Sequence, residues 1–286
     1  MYYNICLGGG GIKLIAFIGV FKYLQDNNYI KIKSLKKLLG VSAGSIVCFL
    51  FNIGYSIDEI EEFVNEFNFE KLYPNTNTEN LLFFYGFDEN TKLKKLFSLF
   101  LKNKYNKYDI TFKELYDITK QQLRIGVVNI TTSKFEIWDY LNKPDFSIIT
   151  ALVISCNIPI IYKPILIDNN FYVDGGVINN FPIEYINDDE LLNTISISCN
   201  SNYNNSFDNI FDYLVKIIHM ISNNSTKNLA YENKLDIITI ESSDNLLDFK
   251  ISKENIIKKI SYGYQTAKTF FNDKNLKNKK VRRYSI

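Results

Sequence analysis

The residues best suited to chemistry lie in a short run, Gly40-Val41-Ser42-Ala43-Gly44. Its G-x-S-x-G spacing is typical of a nucleophile elbow, in which a serine stands on a sharp turn between a strand and a helix. Glycines suit such a turn because it leaves no room for a Cβ on either side of the serine. The small and apolar residues from Ser45 to Ile53 predict a buried helix whose first amides point towards Ser42. An ordinary strand-to-helix turn is the alternative.

A second candidate is the glycine run Gly8-Gly9-Gly10-Gly11, which is followed by Ile12 and Lys13. A predicted strand (3–7) precedes the run and a predicted apolar helix (14–24) follows it, an opening typical of α/β folds. Amides at such a loop suit an anion, either a phosphate or a reaction oxyanion. Both nucleotide-binding patterns, the Walker loop and G-x-G-x-x-G, fail around Lys13. We favour an oxyanion hole, with a purely structural glycine turn as the alternative.

A third candidate is the acid of Asp174-Gly175-Gly176, which ends a hairpin predicted around Asp168-Asn169. An aspartate at the end of a strand lies where α/β enzymes place catalytic groups, although plain Asp-Gly turns are common. The single histidine, His219, has apolar neighbours on a predicted helix and is interpreted as a packed or surface residue. We therefore expect no Ser-His-Asp triad. The remaining design is a dyad in which a carboxylate takes the serine proton directly.

Composition limits the class of protein. With 286 residues, 46% of them hydrophobic, the chain fits one large domain or two small ones. A net charge of +2 gives no strong field towards nucleic acid, and no such partner is expected. Four dispersed cysteines predict buried thiols and no metal site. The N-terminus does not resemble a signal peptide, and no apolar run reaches the ~20 residues of a membrane span. We expect a soluble cytoplasmic protein.

Two other stretches leave alternatives open. Residues Leu72 to Phe87 are aromatic and loop-like, and we favour a packed connector over a lid or lipid-contact loop. A helix is predicted from Lys253 to Phe271, and a basic tail follows over residues 273–286. We favour a solvated, frayed tail over one that is attracted to anionic lipid.

In their order along the chain, the glycine loop, the serine turn and the Asp-Gly-Gly block resemble the patatin-like phospholipase family. The resemblance extends from about Ile5 to Pro182. It includes the segment from Ala151 to Pro164 and the run Asn179-Asn180-x-Pro182 after the acid. The sequence departs from the family at Leu14, where a glycine is usual. The resemblance implies a three-layer α/β/α fold with a mostly parallel central sheet, in a single domain over residues 1–272.

The resemblance also implies a lipid acyl hydrolase of the phospholipase A type, without calcium or another cofactor. Ser42 would attack the ester carbonyl, and Asp174 would accept its proton. Amides of Gly8 to Gly11 and of Ala43 would hold the oxyanion. Lys13 would either steady the loop or contact a phosphate headgroup. The glycines that shape the motif turns are Gly40, Gly44, Gly175 and Gly176.

The expected partner is a phospholipid or another acyl lipid, with peripheral contact at the membrane surface. The alternative function is a catalytically silent protein that keeps the fold and binds a lipid or a partner.

Overall fold

The computed structural model describes residues 1–201, 235–242 and 248–284, together with positions 213, 214, 216, 217 and 220. The α-helices are α1 (Leu14–Asp26), α2 (Ala43–Asn52), α3 (Ile57–Glu66), α4 (Thr78–Phe84), α5 (Thr91–Tyr105), α6 (Phe112–Thr119), α7 (Ile148–Ser155) and α8 (Lys253–Tyr284). The strands are β1 (Asn4–Leu7), β2 (Lys37–Val41), β3 (Gly86–Asp88), β4 (Gln122–Asn129), β5 (Lys134–Trp138), β6 (Ile160–Tyr162), β7 (Ile165–Ile167), β8 (Asn170–Asp174), β9 (Thr194–Ser201) and β10 (Asp236–Ser242).

A mixed, mostly parallel sheet forms the centre of the fold. Its strand order is β10-β9-β1-β2-β4-β8-β7, and β5 also pairs with β4. Neighbouring strands from β10 to β4 are parallel, whereas β5 and β8 run antiparallel to β4. A separate small sheet pairs β3 with β6. The predicted α/β class and mostly parallel sheet are confirmed.

Both faces of the sheet are covered, as the side chains of β1 illustrate. Ile5 and Leu7 join the larger hydrophobic cluster, which includes residues of α1, α2, α7 and α8. Cys6 points the other way, into a smaller cluster with Leu39 and Ile183. Successive strand residues point to opposite faces, and strands buried on both faces are typical of parallel sheets between covering layers. The predicted α/β/α layering is therefore confirmed.

Most predicted elements match those observed within a few residues. At α3, Ser56 and Glu59 form a capping box. The predicted C-terminal helix does not end at Phe271 but continues to Tyr284, through the residues expected to form a frayed tail. His219 lies outside the described residues.

The stretch from Leu72 to Phe87 differs from its prediction. It contains α4, whose first turn is capped by Asn77 through hydrogen bonds from Glu79 N and Asn80 N. Four consecutive residues at the end of α4 are exposed: Leu82 (75%), Phe83 (72%), Phe84 (53%) and Tyr85 (67%). We call these four residues the α4 tip. Burial resumes only where Gly86 and Asp88 of β3 pair with β6. The packed-connector interpretation is therefore wrong for the α4 tip.

Candidate active site

Ser42 forms the turn between β2, which ends at Val41, and α2, which begins at Ala43. Its φ of 50° is unusual for a residue with a side chain, and such strain tends to persist at functional sites. The lack of room for a Cβ atom explains why glycines flank this turn. A Cβ on Gly40 would lie 2.6 Å from backbone atoms of Gly44, and a Cβ on Gly44 would lie 2.4 Å from Leu7 O. The predicted elbow is therefore present and is packed closely against β1.

The side chains of Ser42 and Asp174 are hydrogen-bonded to each other. Ser42 Oγ donates to Asp174 Oδ2 over 2.7 Å, and Gly176 N donates to Asp174 Oδ1 over 2.7 Å. Asp174 is only 5% exposed, and this burial raises its pKa to about 7, although the hydrogen bonds from Gly176 and Ser42 act in the opposite direction. A carboxylate with that pKa is a stronger base than an ordinary aspartate and is still substantially ionised near neutral pH.

The two residues meet because they are positioned by adjacent residues of β4. Val41, the last residue of β2, pairs with Gly126, while Asp174 of β8 pairs with Val127. Strand β5 pairs with β4 from Ile125 to Asn129 and so overlaps both partners. Since a strand has only two edges, β2 and β8 must share the edge opposite β5. The nucleophile strand and the acid strand therefore end against each other along one edge of β4.

The glycine loop passes directly beside Ser42, since a Cβ on Gly9 would lie 3.0 Å from Ser42 Cβ. Two of the predicted oxyanion donors are already engaged. Gly8 N donates to Ile197 O over 2.9 Å, and Gly9 N donates to Asn180 O over 3.0 Å. The amides of Gly10 and Gly11 donate to no acceptor in the described part of the chain, and neither does that of Ala43. The available donors are thus Gly10, Gly11 and Ala43.

Lys13 lies behind this loop and is 1% exposed. Its backbone amide donates to Gly10 O over 3.1 Å, which closes the short 3₁₀ turn Gly11–Lys13. A side chain so deeply buried is not presented to a phosphate headgroup in solvent. Its position favours the loop-steadying role over the headgroup contact.

Two residues to which the sequence assigned no role contact the motif backbones. Asn180 clamps the glycine loop: its O accepts from Gly9 N, and its Nδ2 donates to Gly9 O over 3.3 Å. Ser155 Oγ accepts from Ser42 N over 2.9 Å. Both belong to segments that the family resemblance includes, which is the only sequence signal for them. Their role depends on contacts between residues more than a hundred positions apart.

Metal ligands and membrane spans are two further features considered for the described residues. Among the described residues, no cluster of three His, Cys, Asp or Glu side chains is arranged to hold a metal ion. The same part of the chain contains no helix that is long and apolar enough to span a membrane.

Sequence comparison places these motifs in a known family. The family profile described as "Patatin-like phospholipase" matches residues 5–186. "Probable lipid hydrolase 463L" of Invertebrate iridescent virus 6 is 36% identical over 190 residues, which cover 64% of this chain and 62% of that protein. The chain thus spans less than two thirds of that relative's length. "Uncharacterized protein R571" of Acanthamoeba polyphaga mimivirus is 30% identical over 225 residues, covering 75% of this chain and 74% of that one.

Solved structures share the fold at low sequence identity. VipD from Legionella pneumophila superposes with a TM-score of 0.69 at 14% identity, covering 95% of this chain and 67% of VipD. The type III effector ExoU, known from Pseudomonas aeruginosa, gives a TM-score of 0.57 at 16% identity, covering 95% of this chain and 53% of ExoU. The profile match includes the glycine loop, the elbow and the Asp-Gly-Gly block. The chain therefore belongs to the patatin-like phospholipase family.

Proposed function

We propose that the protein is a lipid acyl hydrolase that cleaves fatty-acyl esters through an acyl-enzyme on Ser42. The observation that carries the proposal is the 2.7 Å hydrogen bond from Ser42 Oγ to Asp174 Oδ2, beside the free amides of Gly10 and Gly11. A nucleophile, a base with a pKa of about 7 and oxyanion donors are thus together. The name of the viral relative, a probable lipid hydrolase, supports a lipid ester as the substrate.

Acylation follows from this geometry. Ser42 Oγ attacks the ester carbonyl carbon while its proton passes to Asp174 Oδ2. The carbonyl oxygen becomes an oxyanion, to which the amides of Gly10, Gly11 and Ala43 donate. Loss of one such donor typically costs about 3 kcal/mol of transition-state stabilisation. The intermediate collapses, the C–O bond to the leaving group breaks, and Asp174 returns its proton to the departing alkoxide.

Deacylation uses the same groups in reverse order. Asp174 takes a proton from a water molecule, whose oxygen attacks the acyl carbon of the Ser42 ester. The same amides hold the second oxyanion. When this intermediate collapses, Ser42 Oγ recovers a proton from Asp174 and the fatty acid leaves. Apart from the substrate and this water molecule, the proposed cycle uses side chains and amides of this chain.

Two substitutions test the dyad: one removes the serine hydroxyl, and the other replaces the aspartate by the isosteric, uncharged asparagine. Purified protein should release fatty acid from phospholipid vesicles, and Ser42→Ala and Asp174→Asn should each reduce this release by on the order of 10⁴-fold or more. Matched controls are Ser34→Ala and Asp168→Asn, because both residues are exposed and Asp168 belongs to the same hairpin as Asp174. Full activity in either dyad variant would refute the mechanism.

Covalent labelling distinguishes the proposed hydrolase from the second candidate, a catalytically silent lipid-binding protein. A fluorophosphonate should form an adduct on Ser42 of the folded protein, which mass spectrometry of the peptide locates. The adduct should be absent in Ser42→Ala and slow in Asp174→Asn, since the base is then missing. A folded wild-type protein that stays unlabelled and releases no fatty acid would favour the silent binder.

We further propose that the α4 tip contacts the lipid–water interface. Residues along a helix are rotated by about 100° from one to the next, so Leu82, Phe83 and Phe84 point to three sides of α4. A flat protein surface covers one side of a helix, whereas lipid chains can surround an apolar end completely. Lys163 Nζ lies 4.1 Å from the centroid of the Phe84 ring and pairs with Glu89 Oε1 over 2.7 Å at the base of the tip. Leucine and aromatic side chains are typical of the apolar face of interfacial segments.

The segments before and after α4 are both connected through other contacts to segments of the candidate site. On one side, β3 pairs with β6, and Asn157 just before β6 accepts a hydrogen bond from Asp174 N. On the other side, the ring of Tyr73 packs against Phe249, whose neighbour Ile251 shares a cavity wall with Ile12 beside the glycine loop.

A further inference from the structure

The backbone amide of Ser42 is bound by a side chain from a distant helix. Ser155, the last residue of α7, is fully buried. Its Oγ accepts a hydrogen bond from Ser42 N over 2.9 Å and donates one to Gly126 O over 2.8 Å. One hydroxyl thus joins the turn that carries the nucleophile to the strand that positions the acid.

This bridge occurs where the sheet itself can no longer hold the nucleophile. Direct pairing of β2 with β4 ends at Val41 and Gly126, because the left-handed φ of Ser42 turns the chain away from the strand. Without this hydroxyl, the half-buried Ser42 N and the buried Gly126 O would each have one hydrogen bond fewer, which is costly. The hydroxyl of Ser155 satisfies both groups and spans the gap that the elbow opens.

The acceptor of this bridge also borders the acid turn. A Cβ on Gly175 would lie 2.6 Å from Gly126 O, and the next residue of β4, Val127, pairs with Asp174. Gly126 therefore lies beside the turn that carries the Asp174 carboxylate. Through the Ser155 hydroxyl, the same residue is also linked to Ser42.

We infer that Ser155 is a positioning residue, whose hydroxyl holds Ser42 within reach of Asp174 by bridging Ser42 N and Gly126 O. The inference rests on the proposed hydrolase function, with Ser42 as nucleophile. Ser155 does not touch the reacting atoms. Its loss lets the elbow relax from its strained conformation and shifts Ser42 Oγ relative to Asp174. Displacement of a reacting group by about 1 Å costs on the order of 10²-fold in rate.

The test is Ser155→Ala, compared with Ser196→Ala as the matched control. Ser196 is also fully buried, on β9, and its Oγ has no hydrogen-bond partner in the described structure. Turnover of a soluble short-chain ester gives kcat and KM between about pH 5 and pH 9. We expect Ser155→Ala to lower kcat by on the order of 10²-fold with little change in KM. Ser196→Ala should retain wild-type kinetics.

A pH profile separates positioning from a merely structural role. The hydrogen bond from Ser42 lowers the pKa of Asp174, so its loss in Ser155→Ala should move the acidic limb of kcat/KM to higher pH. A general loss of packing would lower the yield or the melting temperature and leave the limb in place. Ser155→Cys, which keeps a weak donor and acceptor, should show an intermediate loss of kcat and serves if Ser155→Ala does not fold.

Wild-type kcat and an unmoved limb in either folded Ser155 variant would overturn the inference, as would an equal loss in Ser196→Ala. Amide exchange at Ser42, measured by NMR, gives a readout that does not depend on turnover. It should be faster in Ser155→Ala than in the wild type and the control. If the wild type releases no product, the proposed function fails, while the exchange rates still decide whether Ser155 holds the elbow.

Discussion

At the scale of single residues, the reactivity of the site depends on the environment of one carboxylate. Asp174 is buried, accepts hydrogen bonds from Gly176 N and Ser42 Oγ, and has a pKa of about 7 because burial outweighs both bonds. A base must be ionised to take a proton. In the proposed mechanism, the same burial that makes Asp174 a better base therefore reduces the fraction of molecules that are active in mildly acid solution.

This balance predicts how the rate depends on pH. Asp174 is inactive when protonated, so kcat/KM for a soluble ester should rise with pH through about 7 and level off above it. The measurement is a pH–rate profile, with circular dichroism at each pH to exclude unfolding. An acidic limb near the ordinary aspartate pKa of about 4 would show that Asp174 is not the base that limits the rate.

At the scale of elements, β4 and α4 have different proposed roles: β4 positions the site residues, and α4 contacts lipid. Strand β4 pairs with the nucleophile strand through Gly126 and with the acid strand through Val127, so the catalytic geometry depends on a rigid, buried element. Helix α4 is short, and its tip is exposed. In the proposed function, rigid positioning and contact with the lipid surface therefore belong to different elements.

The α4 tip predicts a separation of lipid binding from chemistry. Phe83→Ser/Phe84→Ser should weaken co-sedimentation with phosphatidylcholine vesicles, because two exposed aromatic rings no longer enter the interface. Hydrolysis of a soluble short-chain ester should stay within about two-fold of the wild type. The matched control is Leu192→Ser, since Leu192 is 86% exposed outside the tip. Unchanged vesicle binding in the double variant, or an equal loss in the control, would contradict the lipid contact.

At the scale of the whole molecule, the buried acid opposes stability. Its pKa lies about three units above that of a free aspartate, and each unit corresponds to about 1.4 kcal/mol. The folded state therefore holds this proton more tightly than the unfolded chain does. The resulting stability is present below about pH 4 and is lost progressively as pH rises to about 7, a loss on the order of 4 kcal/mol.

Asp174→Asn should therefore be relatively more stable at alkaline pH, because asparagine carries no charge to bury. The melting temperature of the variant minus that of the wild type should increase between about pH 5 and pH 8. Asp168→Asn, in the exposed hairpin turn, is the control variant for the same change of side chain. A difference that does not change with pH would mean that Asp174 ionises without cost in the folded protein.

The sequence alone determined the local parts of this site. A nucleophile elbow, a glycine loop and an Asp-Gly-Gly turn depend on residues a few positions apart, because each is a turn whose φ angles or close contacts only certain residue types allow. The α/β class could be predicted for the same reason, since strands and helices follow from short-range hydrophobic patterns.

The tertiary structure decided what those parts do together. Only strand pairing brings Ser42 and Asp174 to one edge of β4. Only packing engages the amides of Gly8 and Gly9 while leaving those of Gly10 and Gly11 without an acceptor among the described residues. The bridge from Ser155 and the exposure of the α4 tip are likewise relations between distant segments. Hydrogen bonding and burial depend on which groups meet in space, and a local sequence pattern does not contain that information.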